Sequence, residues 1–331
     1  MITLKYQQRS SIMVRILVMV LAFAASSLAM AESVRTPPLV DASWLESNLN
    51  RNNLVVLDVR SGIDNGGDRS SFQKAHIPGA IYSSYTGDGW RESRDGVTGL
   101  LPPVTSLERL IGGLGISNDN TVVIVPAGTG ATDFGSAARV YWTFRVLGHN
   151  DVTILNGGFA GWQVEGLEVA SGESDRRAVT EFSGFIQQNL IASLEEVDAA
   201  RGTQVQLVDA RPSDYFRGEN QSPAARAPGT IPGARSLPHA DFLGERGQVW
   251  YLNQTGITQR VNQAELDPTS RTISFCNTGH WAATDWFVLS ELAGFEEVAL
   301  YDGSMAQWSQ DSNRPLQVAK KGLAKVLDWF N

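Results

Sequence analysis

Short apolar runs, separated by polar and glycine-marked turns, recur along this chain in one order that occurs twice. Leu54-Val55-Val56-Leu57-Asp58-Val59-Arg60 is echoed by Val205-Gln206-Leu207-Val208-Asp209-Ala210-Arg211, each a short strand closing on Asp-x-Arg. Ala75-His76-Ile77-Pro78-Gly79-Ala80 is echoed by Gly229-Thr230-Ile231-Pro232-Gly233-Ala234, with Pro-Gly marking a turn in both. Val122-Val123-Ile124-Val125 then matches Ile273-Ser274-Phe275. After each comes a segment rich in alanine and tryptophan with apolar residues near helical spacing, ending at Leu147-Gly148 or Ala293-Gly294. Finally the run from Val152 to Trp162 matches the run from Val298 to Trp308. Strands alternating with helical segments across short connections predict an α/β fold, each copy a mostly parallel sheet covered by helices. The copies lie about 150 residues apart, the size of a domain rather than of a solenoid repeat. Domains are therefore expected over 37–170 and 189–320, with the polar stretch 171–188 as linker.

The copies differ in one place. After Phe275 the second reads Cys276-Asn277-Thr278-Gly279-His280-Trp281, opening on the sole cysteine of the chain; after Val125 the first reads Pro126-Ala127-Gly128-Thr129-Gly130-Ala131. A cysteine between a strand end and a helix start meets the unsatisfied N–H groups of the first helical turn, which favour thiolate over thiol and so make a nucleophile. The competing reading is a free cysteine packed as a small hydrophobe. If Cys276 is the nucleophile, the first copy lacks that chemistry and serves as a wall of the site.

Composition sharpens this reading. The chain has 331 residues, 42% of them hydrophobic, enough for two domains with real cores. Residues 1–31 read as a secretory signal peptide: Lys5, Arg9 and Arg15 are the only charges, an apolar run follows from Ile16 to Leu28, and Ala29-Met30-Ala31 is a small-x-small cleavage site. That run is too short to span a bilayer, so cleavage before Glu32 and export are expected, to the periplasm if the source is Gram-negative. Losing three positive charges takes the formal net charge from −8 to −11. An acidic chain with no block of lysine or arginine argues against nucleic acid or an anionic membrane as partner. A single cysteine excludes an internal disulfide framework, and its retention in an exported protein favours chemistry.

The Asp-x-Arg strand ends, the two Ile-Pro-Gly-Ala segments, Asn156-Gly157-Gly158, Asp302-Gly303 and the strand-Cys-x-x-Gly-helix loop together resemble a tandem-domain rhodanese, a sulfurtransferase; so does Tyr215-Phe216-Arg217-Gly218-Glu219. The resemblance covers nearly all of the chain after the leader. It implies two tandem rhodanese-like domains, each a mostly parallel five-stranded sheet flanked by helices, the second catalytic, and a persulfide mechanism. Cys276 would take the outer sulfur of a donor such as thiosulfate, hold it as Cys–S–S⁻, and yield it to cyanide or a thiol. The loop N–H groups would hold the anionic persulfide, with Gly279 giving the backbone its curvature. No cofactor is implied; a redox protein is a possible partner. Two alternatives stay open: a 3-mercaptopyruvate sulfurtransferase, and a non-catalytic sulfur carrier or protein-binding module of the same fold.

The loop departs from thiosulfate-using relatives in having no permanent cation. Asn277 and Thr278 offer neutral hydrogen bonds, His280 a charge only when protonated, and Arg211 or Arg217 a cation from outside the loop. Asp58 and Asp209 are expected to fix loops by accepting backbone hydrogen bonds, because both copies have them. Trp281 walls the pocket or packs its helix. His76, His149 and His239 show no metal-ligand spacing, and no metal is expected. Gly128-Thr129-Gly130 fails as a dinucleotide fingerprint, since Asp133 stands where the third glycine belongs. A cysteine phosphatase needs an arginine about six residues past its cysteine, where Ala282 stands.

Overall fold

In the computed structural model, residues 36–173 and 177–319 are described. The leader over 1–31, linker residues 174–176 and residue 320 of the second expected domain lie outside the described residues. The first sheet is built from β1 (Leu39–Val40), β2 (Leu54–Asp58), β3 (Ile81–Tyr82), β6 (Thr121–Val125) and β7 (Val152–Leu155), all parallel, in the order β1-β7-β6-β2-β3; β4 (Glu92–Arg94) and β5 (Val97–Leu100) form a separate hairpin. The second sheet uses β8 (Gln206–Asp209), β9 (Arg235–Ser236), β12 (Thr272–Phe275) and β13 (Val298–Leu300), also parallel, in the order β13-β12-β8-β9. Its hairpin is β10 (Leu243–Arg246) with β11 (Val249–Leu252). The edge place that β1 fills in the first sheet is held in the second by a single parallel bridge, Ile191 to Leu300. Among the described residues no helix is long and apolar enough to cross a membrane.

Register places the two copies in equivalence. Val125 lies opposite Asp58 and Phe275 opposite Asp209, so Pro126 and Cys276 leave their sheets at the same point. That point is the carboxyl end of a parallel strand, where α/β folds build their sites.

The Asp-x-Arg signature has a physical cause. Asp209 accepts the Arg211 backbone N–H at 3.0 Å, pairs with its guanidinium at 2.6 Å and accepts the Thr230 hydroxyl at 2.7 Å. Arg211 Nη2 also donates to the Gly229 carbonyl at 2.8 Å, stapling the strand end to the segment that precedes Ile231-Pro232-Gly233. In the first copy Arg60 pairs with Asp58 at 2.8 Å and donates to the Ala75 carbonyl at 2.9 Å, making the same staple. Both pairs are buried.

Each sheet buries both faces, which is why its strands read as continuous apolar runs. One face of each sheet has its own core, around Val56, Val123 and Trp162 in the first and Leu207, Ile273 and Trp308 in the second. The opposite faces join in one hydrophobic cluster that runs from Leu57 and Ile124 to Val208 and Leu300. At its centre the Ala131–Val146 helix packs on the Trp281–Phe287 helix, with Tyr141 edge-on to Phe287 at 4.9 Å and Arg145 paired to Glu291 at 2.6 Å. The first of these helices is buried on nearly every side, so its polar residues must find partners inside the protein.

The staple predicts a measurable cost. Arg211→Ala strands the Asp209 carboxylate without its cation, and the expected loss is about 3–5 kcal/mol by urea unfolding. The double change Asp209→Ala with Arg211→Ala should cost less than the sum of the two single changes. A single-variant loss under about 1 kcal/mol would show that the pair carries no such weight.

Candidate active site

The loop after β12 is held by the end of the next strand. Ser304 Oγ accepts the N–H of Cys276 at 3.0 Å and of Gly279 at 3.1 Å, while donating to the Tyr301 carbonyl at 2.8 Å. The Cys276 and Asn277 carbonyls accept from Met305 and Ala306 at 3.0 and 2.9 Å. Ser304 takes φ 48°, a left-handed conformation that costs an L-residue free energy; its three hydroxyl bonds offset it. The N–H groups of Asn277, Thr278 and His280 make no hydrogen bond among the described residues. Gly279 has φ 70°, and a Cβ there would collide with Arg139 Nη1 and lie 2.8 Å from the Asp302 Cα, so only glycine fits.

The first copy closes on this loop from the other side. Arg139, with no exposure, donates from Nη1 to the Gly279 carbonyl and from Nη2 to the Gly99 carbonyl, both at 3.0 Å. Its Nη2 lies 3.6 Å from Asp302 Oδ2, which accepts the Leu101 N–H at 2.6 Å. Between the copies lies a cavity of about 260 Å³. The first copy lines it with Ile63, Arg91 and Thr132, and the second with Tyr215, Ser222 and the loop from Cys276 to Trp281, Gly279 excepted. Cys276 is buried, with 1% exposure, against this cavity. The volume suits a donor of a few heavy atoms.

His280 is not the cation considered for it. Its Nε2 meets the Thr132 carbonyl at 2.8 Å, which can only accept, so Nε2 carries the proton and Nδ1 accepts from the Tyr85 hydroxyl at 2.7 Å. Burial, and next the Arg91 guanidinium, lower its pKa to about 3. His280 is thus a neutral strut between the copies. Burial likewise lowers His239 to about 4, and its ring stacks on Trp281 at 4.7 Å. Trp281 both packs and lines the cavity, its Nε1 buried without a partner.

Nor do Arg211 and Arg217 reach the cavity. Arg211 is consumed by the Asp209 staple, and Arg217 is exposed and paired with Glu219 at 2.8 Å. Asp58 and Asp209 brace strand ends as described above. The cation at the cavity is Arg91, which sequence reasoning missed. It precedes β4 in the first copy, far from the cysteine in sequence, and no local spacing marks it. Tyr85, Arg139 and Ser304 were missed for the same reason: their parts depend on contacts across the interface or between loops.

The chain belongs to the rhodanese-like family: the model of the rhodanese-like domain matches residues 41–165 and, a second time, 193–311. Over 289 residues it is 31% identical to a protein of Saccharopolyspora erythraea named a thiosulfate sulfurtransferase, covering 86% of this chain and 97% of that one. Over 284 residues it is 34% identical to a Pseudomonas aeruginosa protein named a 3-mercaptopyruvate sulfurtransferase, covering 84% and 97%. Among solved structures it shares its fold with SseA of Escherichia coli (TM-score 0.67, 24% identity, 83% of this chain and 100% of that one). Tum1 of Saccharomyces cerevisiae is similar (TM-score 0.72, 21% identity, 86% and 99%). The protein is a sulfurtransferase.

A neutral buried histidine carries a pH signature. Folded His280 stays unprotonated down to about pH 3, whereas the unfolded chain takes up that proton below about 6.5. Its contribution to stability is complete above that value and is lost as pH falls toward 3. His280→Gln should therefore unfold with a shallower acid dependence than the parent, by about one proton, or about 1.4 kcal/mol per pH unit between pH 6 and 4. Urea midpoints for both proteins at pH 7, 6, 5 and 4 measure this. Parallel curves would mean that His280 is charged in the fold.

Proposed function

We propose that Cys276 carries sulfane sulfur as a persulfide, moving it from a small anionic donor such as thiosulfate to cyanide or a thiol. The observation that supports this most directly is the position of the only cysteine. It lies against a small cavity, on a loop whose N–H groups at Asn277, Thr278 and His280 are unpaired. In the first displacement the Cys276 thiolate attacks the outer sulfur of thiosulfate. A Cys276 Sγ–S bond forms, the donor S–S bond breaks, and its electron pair leaves on sulfite. In the second, cyanide attacks the outer sulfur of Cys276–S–S⁻, thiocyanate leaves and the thiolate returns. The persulfide charge falls where the free N–H groups lie, so the loop stabilises the intermediate without rearranging.

In this reading the domain over 37–170, with Pro126 where a cysteine would stand, does no covalent chemistry, and the domain over 189–320 does it all. The 34% identity to a relative named for 3-mercaptopyruvate favours that compound as a second donor to test. The leader signals in residues 1–31 support a mature protein that begins at Glu32 and works after export, periplasmic in a Gram-negative cell, with a reducing partner for Cys276.

Intact mass tests the cycle. Incubation with thiosulfate or 3-mercaptopyruvate should add the mass of about one sulfur atom, and cyanide should remove it. Cys276→Ser should neither gain the mass nor turn over. Turnover retained in that variant would exclude the mechanism; loading without repeated turnover would identify a carrier.

A further inference from the structure

We infer that Arg91, supplied by the copy without a cysteine, is the receptor for the anionic head of the sulfur donor and sets the preference for charged donors. The inference rests on the persulfide reading of Cys276. The catalytic loop has no permanent cation, and its histidine is a neutral strut. Of the other arginines considered, Arg139 spends both amino groups on carbonyls behind the loop, Arg211 is locked to Asp209, and Arg217 lies outside the cavity. Arg91 lines the same cavity as Cys276. It is half-buried, yet it makes no hydrogen bond or ion pair among the described residues, and its Nε is fully buried without a partner. A guanidinium at a cavity wall with no protein partner for its amino groups is open to an incoming anionic acceptor.

Its surroundings hold it there. The guanidinium carbon lies 4.4 Å from the centre of the Tyr85 ring, and the Tyr85 hydroxyl is fixed on His280, the residue that ends the catalytic loop. Arg91 is thus referenced to Cys276 through two contacts, although 185 positions separate them in sequence. Trp281, on the same cavity, has its Nε1 buried without a partner among the described residues. A guanidinium and a thiol on one cavity suit a donor whose sulfur sits on one end and whose oxyanion sits on the other. For thiosulfate the oxyanion is a sulfonate, for 3-mercaptopyruvate a carboxylate. With thiosulfate, negative charge builds on the departing sulfite as the S–S bond breaks, and Arg91 meets it there.

Steady-state kinetics with both donors, in parallel with intact mass, decide the matter. Arg91→Met should raise the KM of whichever donor loads the parent protein by about 10- to 100-fold, the loss expected for a desolvated charge-assisted contact. The variant should still form the Cys276 persulfide when the donor is saturating. Arg91→Lys, which keeps the charge and loses the fork, should recover part of the KM loss. A raised KM with thiosulfate alone would assign the sulfonate, and with 3-mercaptopyruvate alone the carboxylate. An unchanged KM in Arg91→Met while the parent still loads would overturn the role of Arg91 and leave the persulfide cycle standing. So would equal losses in the Met and Lys variants. Failure of the parent to load from either donor would overturn both.

Discussion

The buried guanidinium of Arg139 is the interaction on which the rest of the site depends. A charge taken wholly out of water costs several kcal/mol unless its donors are satisfied and a counter-charge is near. Arg139 finds its partners at the junction of the copies: the Gly99 carbonyl from its own side, the Gly279 carbonyl from the other, Asp302 at 3.6 Å, and the Trp142 ring at 4.5 Å, with only its Nε left unbonded among the described residues. The Gly279 carbonyl can face Arg139 because that residue takes a left-handed conformation, and the same turn leaves its N–H on Ser304. One arginine therefore braces both the docking of the copies and the curl of the Cys276 loop. Gly99 belongs to the same arrangement, since a Cβ there would strike the Thr278 carbonyl.

The two copies share a frame and differ in what they build on it. Both have the strand-end staple and a helix after the central strand. Only the second has a cysteine. The first copy uses the same region to pack against the second. The Thr132 carbonyl, at the start of its long helix, accepts a hydrogen bond from His280 Nε2, and Arg139, two turns on, reaches Gly279. The first copy is the other half of one cavity, joined to the second through a continuous hydrophobic cluster.

How far the sequence could be read follows from the range of the forces involved. The repeat, the parallel strands and the Cys276 loop were legible because they arise from periodicity and from residues close in the chain. The Asp209–Arg211 staple is two residues wide, and its pattern recurs at Asp58 and Arg60. Features that depend on docking were not legible. His280 was open to reading as a cation because nothing near it announces burial; its partners, Tyr85 and Thr132, lie 195 and 148 positions away. Arg211 was read as available because the sequence shows it two residues from Asp209 and does not show that the two are paired and buried. The fifth strand of the second sheet shrank to one bridge because Ile191 alone of its segment pairs with Leu300.

Separating nucleophile from cation has a physical consequence. A cation inside the loop would act on Cys276 whatever the rest of the chain did. Here the loop supplies only what is local, the thiol and the N–H groups unpaired among the described residues, and Ser304 clamps it from the segment after β13. The long-range charge comes from Arg91 and Arg139, both on the first copy, and both oppose protonation of His280. Keeping His280 neutral leaves its Nδ1 free to accept from Tyr85, and Tyr85 carries the ring over which Arg91 sits. The arginines therefore help maintain the hydrogen-bond chain that positions one of them. Such a network works only as a unit, because breaking any contact across the junction weakens the others. The cysteine lies on the second copy and Arg91 on the first, and the buried interface brings both to one cavity.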